Sequence, residues 1–263
     1  MRRVAAAVLL SVFLINTMIP GIVAPAIPFN DPAPLESNPG LQGDGALFDL
    51  FSQTVVIRAA PWKFATADLN NDARCDVAII YQGSKVLDIF FANETFAFSS
   101  APSHTITFNW QPTSLATGDM DRDTKVDLVV CLNYDSSENI VICYQKNNFS
   151  TISPQAKYLS NPQMQREVLV QDLNEDGWLD IIALYCKGEP DFPSGFAVYL
   201  STTPNNYTHI PKSLPAEMYC PVMMTIGDLN GDGRRDLVIG DPTAKKVIGY
   251  RNDNVTGAAW TPI

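Results

Sequence analysis

The chain has 263 residues, of which 46% are hydrophobic, and this is enough to build a substantial buried core. Its formal net charge is −10, and because nucleic-acid binding requires a basic surface, no nucleic-acid partner is expected. The five cysteines show no Cys-x-x-Cys or Cys/His spacing, so the sequence gives no indication of a zinc site.

The first 26 residues have the pattern of a secretory signal peptide. Met1-Arg2-Arg3 precedes an apolar run over 4–19, and Ala24-Pro25-Ala26 then forms a small-x-small cleavage site. We expect cleavage after Ala26 and a secreted, extracellular product; the alternative is an uncleaved anchor. The 16 residues before Pro20 are short for a membrane span, and no later stretch is long enough to form one.

The composition changes after this leader. Residues 27–46 are rich in Pro, Gly and Asp, which predicts an extended linker. Residues 54–57 (Thr-Val-Val-Ile) are β-branched, which predicts a short strand. The region 47–263 then follows one repeating plan.

An acidic stretch of nine residues organises this repeat region. It carries oxygen-bearing side chains at positions 1, 3, 5 and 9 and Leu or Met at position 2, and it occurs at 68–76, 119–127, 172–180 and 228–236. The first Asp residues of the four stretches are 51, 53 and 56 residues apart. Four occurrences at nearly constant spacing indicate a repeat architecture.

Each acidic stretch is flanked by predicted strands. A short apolar segment enters it, and a run of four to five Val- and Ile-rich residues leaves it. A turn, a third strand and a weaker fourth strand complete each repeat. No helical periodicity accompanies the stretches, and their twelfth positions are apolar where an EF-hand requires Glu. Four short antiparallel strands repeating about every 50 residues predict a β-propeller blade.

The fourth repeat, Gly-Asp-Leu-Asn-Gly-Asp-Gly-Arg-Arg-Asp-Leu-Val-Ile over 227–239, resembles the FG-GAP/VCBS repeat family, which includes the propeller of integrin α subunits. The resemblance covers roughly 47–263 and implies Ca²⁺ in the loop between the first and second strands of each blade, and commonly seven blades. The predicted fold is therefore an all-β propeller of about four four-stranded blades. Either residues 54–57 supply the outer strand of the last blade and close a four-bladed ring, or the blades form an open or partial arc; the larger family size favours the arc.

The calcium ligands are assigned by position, and the position 7 carbonyl is expected to join them. The side-chain ligands are Asp68, Asn70, Asp72, Asp76, Asp119, Asp121, Asp123, Asp127, Asp172, Asn174, Asp176, Asp180, Asp228, Asn230, Asp232 and Asp236. Position 9 is expected to bind through both carboxylate oxygens. Ala73 and Thr124 replace Gly at position 6 in the first two repeats, and they carry strain if that position requires a positive φ. The alternative is a metal-free Asx-rich turn.

In an oxidising compartment some cysteines should pair. Cys131 and Cys143 fall on neighbouring strands of one predicted hairpin, which makes them the first candidate for a disulfide. Cys186–Cys220 is the second candidate, and Cys75 is expected to stay unpaired.

Strand alternation separates two edges of the predicted propeller. The sequons Asn93, Asn148, Asn206 and Asn254 all follow a third strand, so glycans would share the edge of the acidic loops. The opposite edge carries the predicted ligand face, Trp62, Trp110, Asp191 and Phe192, which suits an extracellular protein or glycan. The alternative is a structural role, in which Trp62 and Trp110 fill contacts between blades.

Catalytic signatures are missing from the sequence. Its two histidines lie on predicted outer strands or their edges, and no Gly-x-Ser-x-Gly or His-Glu-x-x-His motif is present. The sequence therefore predicts a non-catalytic, integrin-like adhesion or protein-binding module. A lectin-like sugar binder is the alternative, and a secreted polysaccharide hydrolase or lyase is a third.

Overall fold

The computed structural model describes residues 55–95, 97–133, 139–146, 149, 156–159, 164–186, 194–203, 206–253, 256–257 and 259–263. The predicted signal peptide, the linker, Asn148, Asn254, Asp191 and Phe192 lie outside these residues. The chain divides into Met1–Leu47, which is not described, and one compact unit, Phe48–Ile263. Within the described part of the chain, no helix combines the length and apolar character required to cross a membrane.

The described residues form sixteen β-strands in four antiparallel sheets, each with its strands in sequence order. Blade 1 contains β1 (Pro61–Ala67), β2 (Asp76–Tyr81), β3 (Val86–Phe90) and β4 (His104–Thr107). Blade 2 contains β5 (Pro112–Gly118), β6 (Asp127–Leu132), β7 (Ile140–Cys143) and β8 (Ala156–Leu159). Blade 3 contains β9 (Met164–Gln171), β10 (Asp180–Cys186), β11 (Gly195–Thr203) and β12 (Asn206–Ser213). Blade 4 contains β13 (Met223–Gly227), β14 (Asp236–Asp241), β15 (Lys246–Asn252) and β16 (Trp260–Pro262).

In blades 2 and 3 the second strand is apolar after its first Asp because both of its faces are buried. In β6, Leu128 and Val130 pack against blade 1, whereas Val129 and Cys131 pack against blade 3. Side chains on successive strand residues point to opposite faces, so two packed neighbours require a continuous apolar run rather than an alternating one. In these two blades the short apolar run therefore marks a sheet that is covered on both sides.

The blades pack in chain order and form an arc. Three hydrophobic cores lie between blades 1 and 2, 2 and 3, and 3 and 4. The first strands make the same contacts, β1 with β5, β5 with β9 and β9 with β13, whereas no comparable contact joins β13 to β1 among the described strands. The predicted all-β, propeller-type architecture of four four-stranded blades is confirmed, and the described blades form no closed ring.

The predicted ring closure by residues 54–57 is wrong for the described part of that segment. Residues 55–57 form no strand, and Val56 is 82% exposed. The outer strand of blade 4 is instead β16, where Asn252 pairs with Trp260 and Tyr250 with Pro262. Blade 4 thus completes its own outer strand, and the described residues 55–57 add no strand to it.

The predicted Cys131–Cys143 disulfide is also wrong. Cys131 pairs with Ile140 and Cys143 pairs with Leu128, so the two cysteines are not cross-strand partners. Their side chains point to opposite faces, Cys131 into the core shared with blade 3 and Cys143 into the core shared with blade 1. A sheet lies between the two sulfur atoms, and a disulfide cannot span it.

Candidate metal centres

Each acidic stretch forms the loop between the first and second strands of its blade, as the repeat pattern predicts. We call these loops 1 to 4, and they comprise residues 68–76, 119–127, 172–180 and 228–236. All four lie on the same edge of their sheets, which we call the metal edge. The β2–β3-type turns and the links between blades lie on the opposite edge.

The carboxylate at position 1 closes the loop on itself. Asp68 accepts hydrogen bonds from the backbone N–H groups of Asp72 at 3.0 Å and Ala73 at 2.7 Å. Asp228 does the same for Asp232 at 3.2 Å and Gly233 at 2.9 Å. In loops 1, 3 and 4 the position 3 Asn side chain also donates to the position 5 carboxylate at 2.9 Å.

Positions 4 and 6 both adopt left-handed backbone conformations. In loop 1, φ is 62° at Asn71 and 64° at Ala73, and in loop 2 it is 58° at Arg122 and 71° at Thr124. Loops 3 and 4 have the same pair of positive φ angles, with Gly at position 6. The condition stated for strain at position 6 is therefore met, since Ala73 and Thr124 both have a positive φ. The one at position 4 was missed because Asn, Arg, Glu and Gly occupy it and share no conformational signal.

The position 9 carboxylate ties the loop to the end of the third strand. These four Asp side chains are fully buried, and each accepts two backbone hydrogen bonds. One comes from position 2 of the same loop at 2.8 to 2.9 Å. The other comes from a residue within two positions of the end of the third strand, also at 2.8 to 2.9 Å. The sequence assigned this residue to the metal alone, whereas each oxygen keeps only its remaining lone pair for an ion.

Loop 2 brings its carboxylates closest together. Ligand oxygens of Asp119, Asp121 and Asp127 all lie within 4.8 Å of one another. Burial, together with repulsion from Asp121 and Asp123, raises the pKa of the Asp127 carboxyl to about 7. This set of closely spaced hard oxygens fits a divalent cation, whose charge would offset both effects.

Loop 3 fits a cation for a different reason. The Oδ1 atom of Asp172 is buried and has no hydrogen-bond partner among the described residues. Burial also raises the pKa of the Asp180 carboxyl to about 6. Among the described residues, no Lys or Arg forms an ion pair with a carboxylate of this loop. An unsatisfied buried carboxylate oxygen without a counter-charge is a position that a bound cation would satisfy.

The other three loops carry a cationic side chain, and sequence reasoning missed this feature. The Lys146 ammonium lies 3.0 Å from Asp121 Oδ2 and also contacts Asp123. In loops 1 and 4 the position 7 arginine contacts the position 5 carboxylate and donates Nε–H to the carbonyl at the third-strand end. The only available signal was the recurrence of Arg at position 7 in these two loops.

Loops 2 and 3 contact each other directly. Arg122 of loop 2 lies over the Trp178 ring, with its guanidinium carbon 4.0 Å from the ring centroid. The same guanidinium donates hydrogen bonds to the carbonyls of Asp176 and Gly177, both at 2.9 Å. The stacking contact and the two hydrogen bonds hold the neighbouring loops in a fixed relation along the metal edge.

The predicted ligand-face tryptophans lie on the opposite edge. Trp62 is 50% exposed, and its indole Nε1–H donates to the Thr113 carbonyl of blade 2 at 3.0 Å. Trp110 is 39% exposed, and the Lys85 ammonium lies 5.4 Å from its ring centroid. Trp62 therefore bridges two blades, as expected if the tryptophans fill contacts between blades. Both rings nevertheless remain partly exposed.

Two of the four sequons lie in the described part of the chain, and both are on the metal edge. Asn93 follows β3, and its side-chain carbonyl accepts the N–H of Thr95 at 2.9 Å. Asn206 begins β12, directly after the β11–β12 connection, and is exposed. Any glycans attached there would leave the opposite edge bare.

Sequence comparison matches residues 68–130 and 172–239 to the FG-GAP-like repeat and residues 224–261 to the FG-GAP repeat. No curated protein matches the chain. Similar solved structures include BBS1N, crystallised in complex with ARL6DN and soaked with lead, at 14% identity and a TM-score of 0.47 over 80% of this chain. They also include the V. cholerae biofilm matrix protein Bap1, at 14% identity and a TM-score of 0.44 over 78% of this chain. The chain spans 58% of the first of these and 28% of the second. On the repeat matches, the chain belongs to the FG-GAP repeat family.

Proposed function

We propose that this chain is a secreted, calcium-binding, integrin-like propeller module that binds an extracellular protein and has no catalytic activity. The observation that carries the proposal is the separation of two edges. Acidic loops occupy one edge of every blade, and exposed tryptophans lie on the other. Metal binding and ligand recognition would then occur at opposite ends of the same strands.

Calcium would be held by the side chains at positions 1, 3 and 5 of each loop, together with the free lone pairs of position 9. Extracellular modules of this type bind Ca²⁺ with Kd values of about 10⁻⁴ to 10⁻³ M. Thirteen of the 28 acidic residues are the Asp ligands of the loops, so bound ions would neutralise much of the repulsion along the metal edge. The ion would thus stabilise the fold and take no part in chemistry.

The opposite edge is the better candidate for a ligand face because it combines aromatic surface with a cation. Trp62 and Trp110 offer rigid, partly exposed rings, and Lys85 lies beside Trp110. Large aromatic side chains in such positions dominate the binding energy of many protein interfaces. The metal edge, in contrast, carries the two described sequons and would be shielded by glycans.

A second candidate is a lectin-like sugar binder on the same surface. Exposed tryptophan faces also suit the apolar faces of sugar rings, and the Lys85 contact with Trp110 would add a hydrogen-bond donor beside such a ring. The two candidates use the same residues and differ in the ligand.

The test measures binding of the purified chain to a panel of immobilised extracellular proteins and to a glycan array, in calcium and in chelator. Trp62→Ala and Trp110→Ala are compared with Tyr158→Ala, a 46% exposed aromatic on an outer strand. We expect protein binding to fall about tenfold or more for either tryptophan variant, the loss typical of an interface anchor. Binding to glycans alone would favour the second candidate, and unchanged binding by both tryptophan variants would overturn the proposed ligand face.

A further inference from the structure

Blade 4 exposes a surface that every other blade buries. The residue at position 2 of each acidic loop packs against the next blade along the chain. Leu69, Met120 and Leu173 are 0%, 0% and 2% exposed in these positions. Leu229, the equivalent residue of loop 4, is 48% exposed. Loop 4 therefore presents an apolar side chain with the geometry of a blade contact.

The rest of this face is open in the same way. The buried positions of the second and third strands that face the next blade are fully covered in blades 1 to 3: Ala78, Ile80, Leu87, Val129, Cys131, Ile140, Ile182, Leu184 and Phe196. In blade 4 the equivalent residues of β14, Val238 and Gly240, are only half-buried, and Val247 of β15 is 73% exposed. Ile263, just after β16, is 63% exposed. We call this surface, formed by Leu229, Val238, Val247 and Ile263, the leading face.

Blade 1 is open on its other side. In blades 2, 3 and 4 the first and third residues after the position 9 Asp are fully buried against the preceding blade: Leu128, Val130, Ile181, Ala183, Leu237 and Ile239. Their counterparts in blade 1, Val77 and Ile79, are half-buried. Phe64 of β1, which pairs with Ile79 of β2, is 36% exposed. We call the surface formed by Phe64, Val77 and Ile79 the trailing face.

The trailing face could be covered without burying an unpaired charge. Asp88 pairs with Ile79 and is 1% exposed. Arg58 binds both of its carboxylate oxygens, at 2.6 and 2.7 Å, and the Tyr81 hydroxyl donates to one of them at 2.8 Å. Covering the face would therefore bury a carboxylate that is already paired, although the Arg58 side chain, which is 42% exposed, would also lose contact with water. The leading face also carries Arg251 of β15, whose guanidinium is paired with Asp253 at 2.6 Å.

We propose that the leading face of one copy of this chain packs on the trailing face of a second copy. The chain already makes this type of interface three times, because each blade places its leading face on the trailing face of the next. The junction between copies would continue the same packing. A head-to-tail contact forms either a closed ring or an open filament, depending on the rotation between subunits. Four blades from each of two copies would make an eight-bladed ring, within the four to eight blades typical of propellers.

The test measures the mass of the purified protein by light scattering at about 10 μM, where a dimer with a micromolar Kd is largely assembled. The unmodified chain should have twice the monomer mass. Leu229→Glu or Val247→Glu on the leading face, and Phe64→Glu on the trailing face, should each reduce the mass to that of a monomer. Tyr158→Glu, at a similarly exposed position on the outer strand β8 of blade 2, should leave the dimer intact.

Mixing the variants distinguishes a head-to-tail contact from a symmetric one. A Leu229→Glu chain keeps its trailing face, and a Phe64→Glu chain keeps its leading face, so an equimolar mixture should recover a two-chain mass through one intact junction. Circular dichroism confirms that each variant folds. A monomeric unmodified chain would overturn the proposal, as would a Phe64→Glu chain that remains dimeric while Leu229→Glu does not.

Discussion

Thr124 occupies the one loop position where a β-branched side chain has a left-handed backbone. Its φ is 71°, and its side chain is exposed, so replacing it with glycine removes no buried contact. The Thr124 N–H donates to Asp119 at 2.9 Å, and glycine retains that donor. A left-handed conformation costs an L residue about 1 to 2 kcal/mol, and it is least favourable for β-branched residues.

The gain from Thr124→Gly is smaller than this cost, since glycine also gains about 0.4 to 1 kcal/mol of conformational freedom in the unfolded chain. We expect a net stabilisation of about 1 kcal/mol. For a domain of this size that corresponds to a rise in Tm of about 2 to 4 °C. Thermal melts followed by circular dichroism in chelator measure the backbone effect without a contribution from metal.

Two variants serve as controls for this measurement. Thr203→Gly, at an exposed strand position, should lower the Tm because glycine is unfavourable in a strand. Gly233→Ala, at φ 86° with no neighbouring atom within 4 Å of the added Cβ, should destabilise by about 1 to 2 kcal/mol through strain alone. If Thr124→Gly melted at or below the unmodified chain while Gly233→Ala had no effect, the strain argument would be refuted.

Two further predictions follow from charged and thiol groups. Lys146→Met removes an ammonium that contacts Asp121, so calcium should bind loop 2 about tenfold more tightly. A calcium titration measures this affinity, with Lys157→Met as the control. An unchanged affinity in Lys146→Met would contradict the prediction. The Cys186 and Cys220 side chains lie beside each other, Arg166 Nε lies 2.9 Å from Cys186 Sγ, and burial raises the pKa of the Cys220 thiol. In oxidised glutathione the pair should lose two protons and two electrons to form a disulfide, and non-reducing peptide mapping should find it; two free thiols after that treatment would contradict the pairing.

The loops and the central strands could be predicted from the sequence because their chemistry is local. Alternating Asp and Asn residues fix the turn, and the following Val- and Ile-rich run fixes the second strand. The spacing of the four stretches then gives the number of blades. Each of these features depends on residues that are close in the chain, and all of them are found in the structure.

The features that the sequence predicted wrongly or missed depend on contacts between distant residues, or on which face of a strand a residue occupies. Cys131 and Cys143 lie on adjacent strands as predicted, but a shift of one residue in register decides which face each occupies. β16 has only three residues, too few to show a periodic pattern. The position 9 Asp resembles a fourth ligand in sequence, and its bond to the end of the third strand, 16 residues further on in loop 1, becomes visible only in the fold.

Thermal melting in 10 mM calcium and in chelator tests most directly whether the acidic loops hold calcium. With Kd values of about 10⁻⁴ to 10⁻³ M, each filled loop should stabilise the folded chain by about 1.4 to 2.7 kcal/mol. The Tm should therefore rise in calcium by about 3 °C or more for each occupied loop, and fall again on addition of chelator. Identical melting curves in calcium and in chelator would contradict the account.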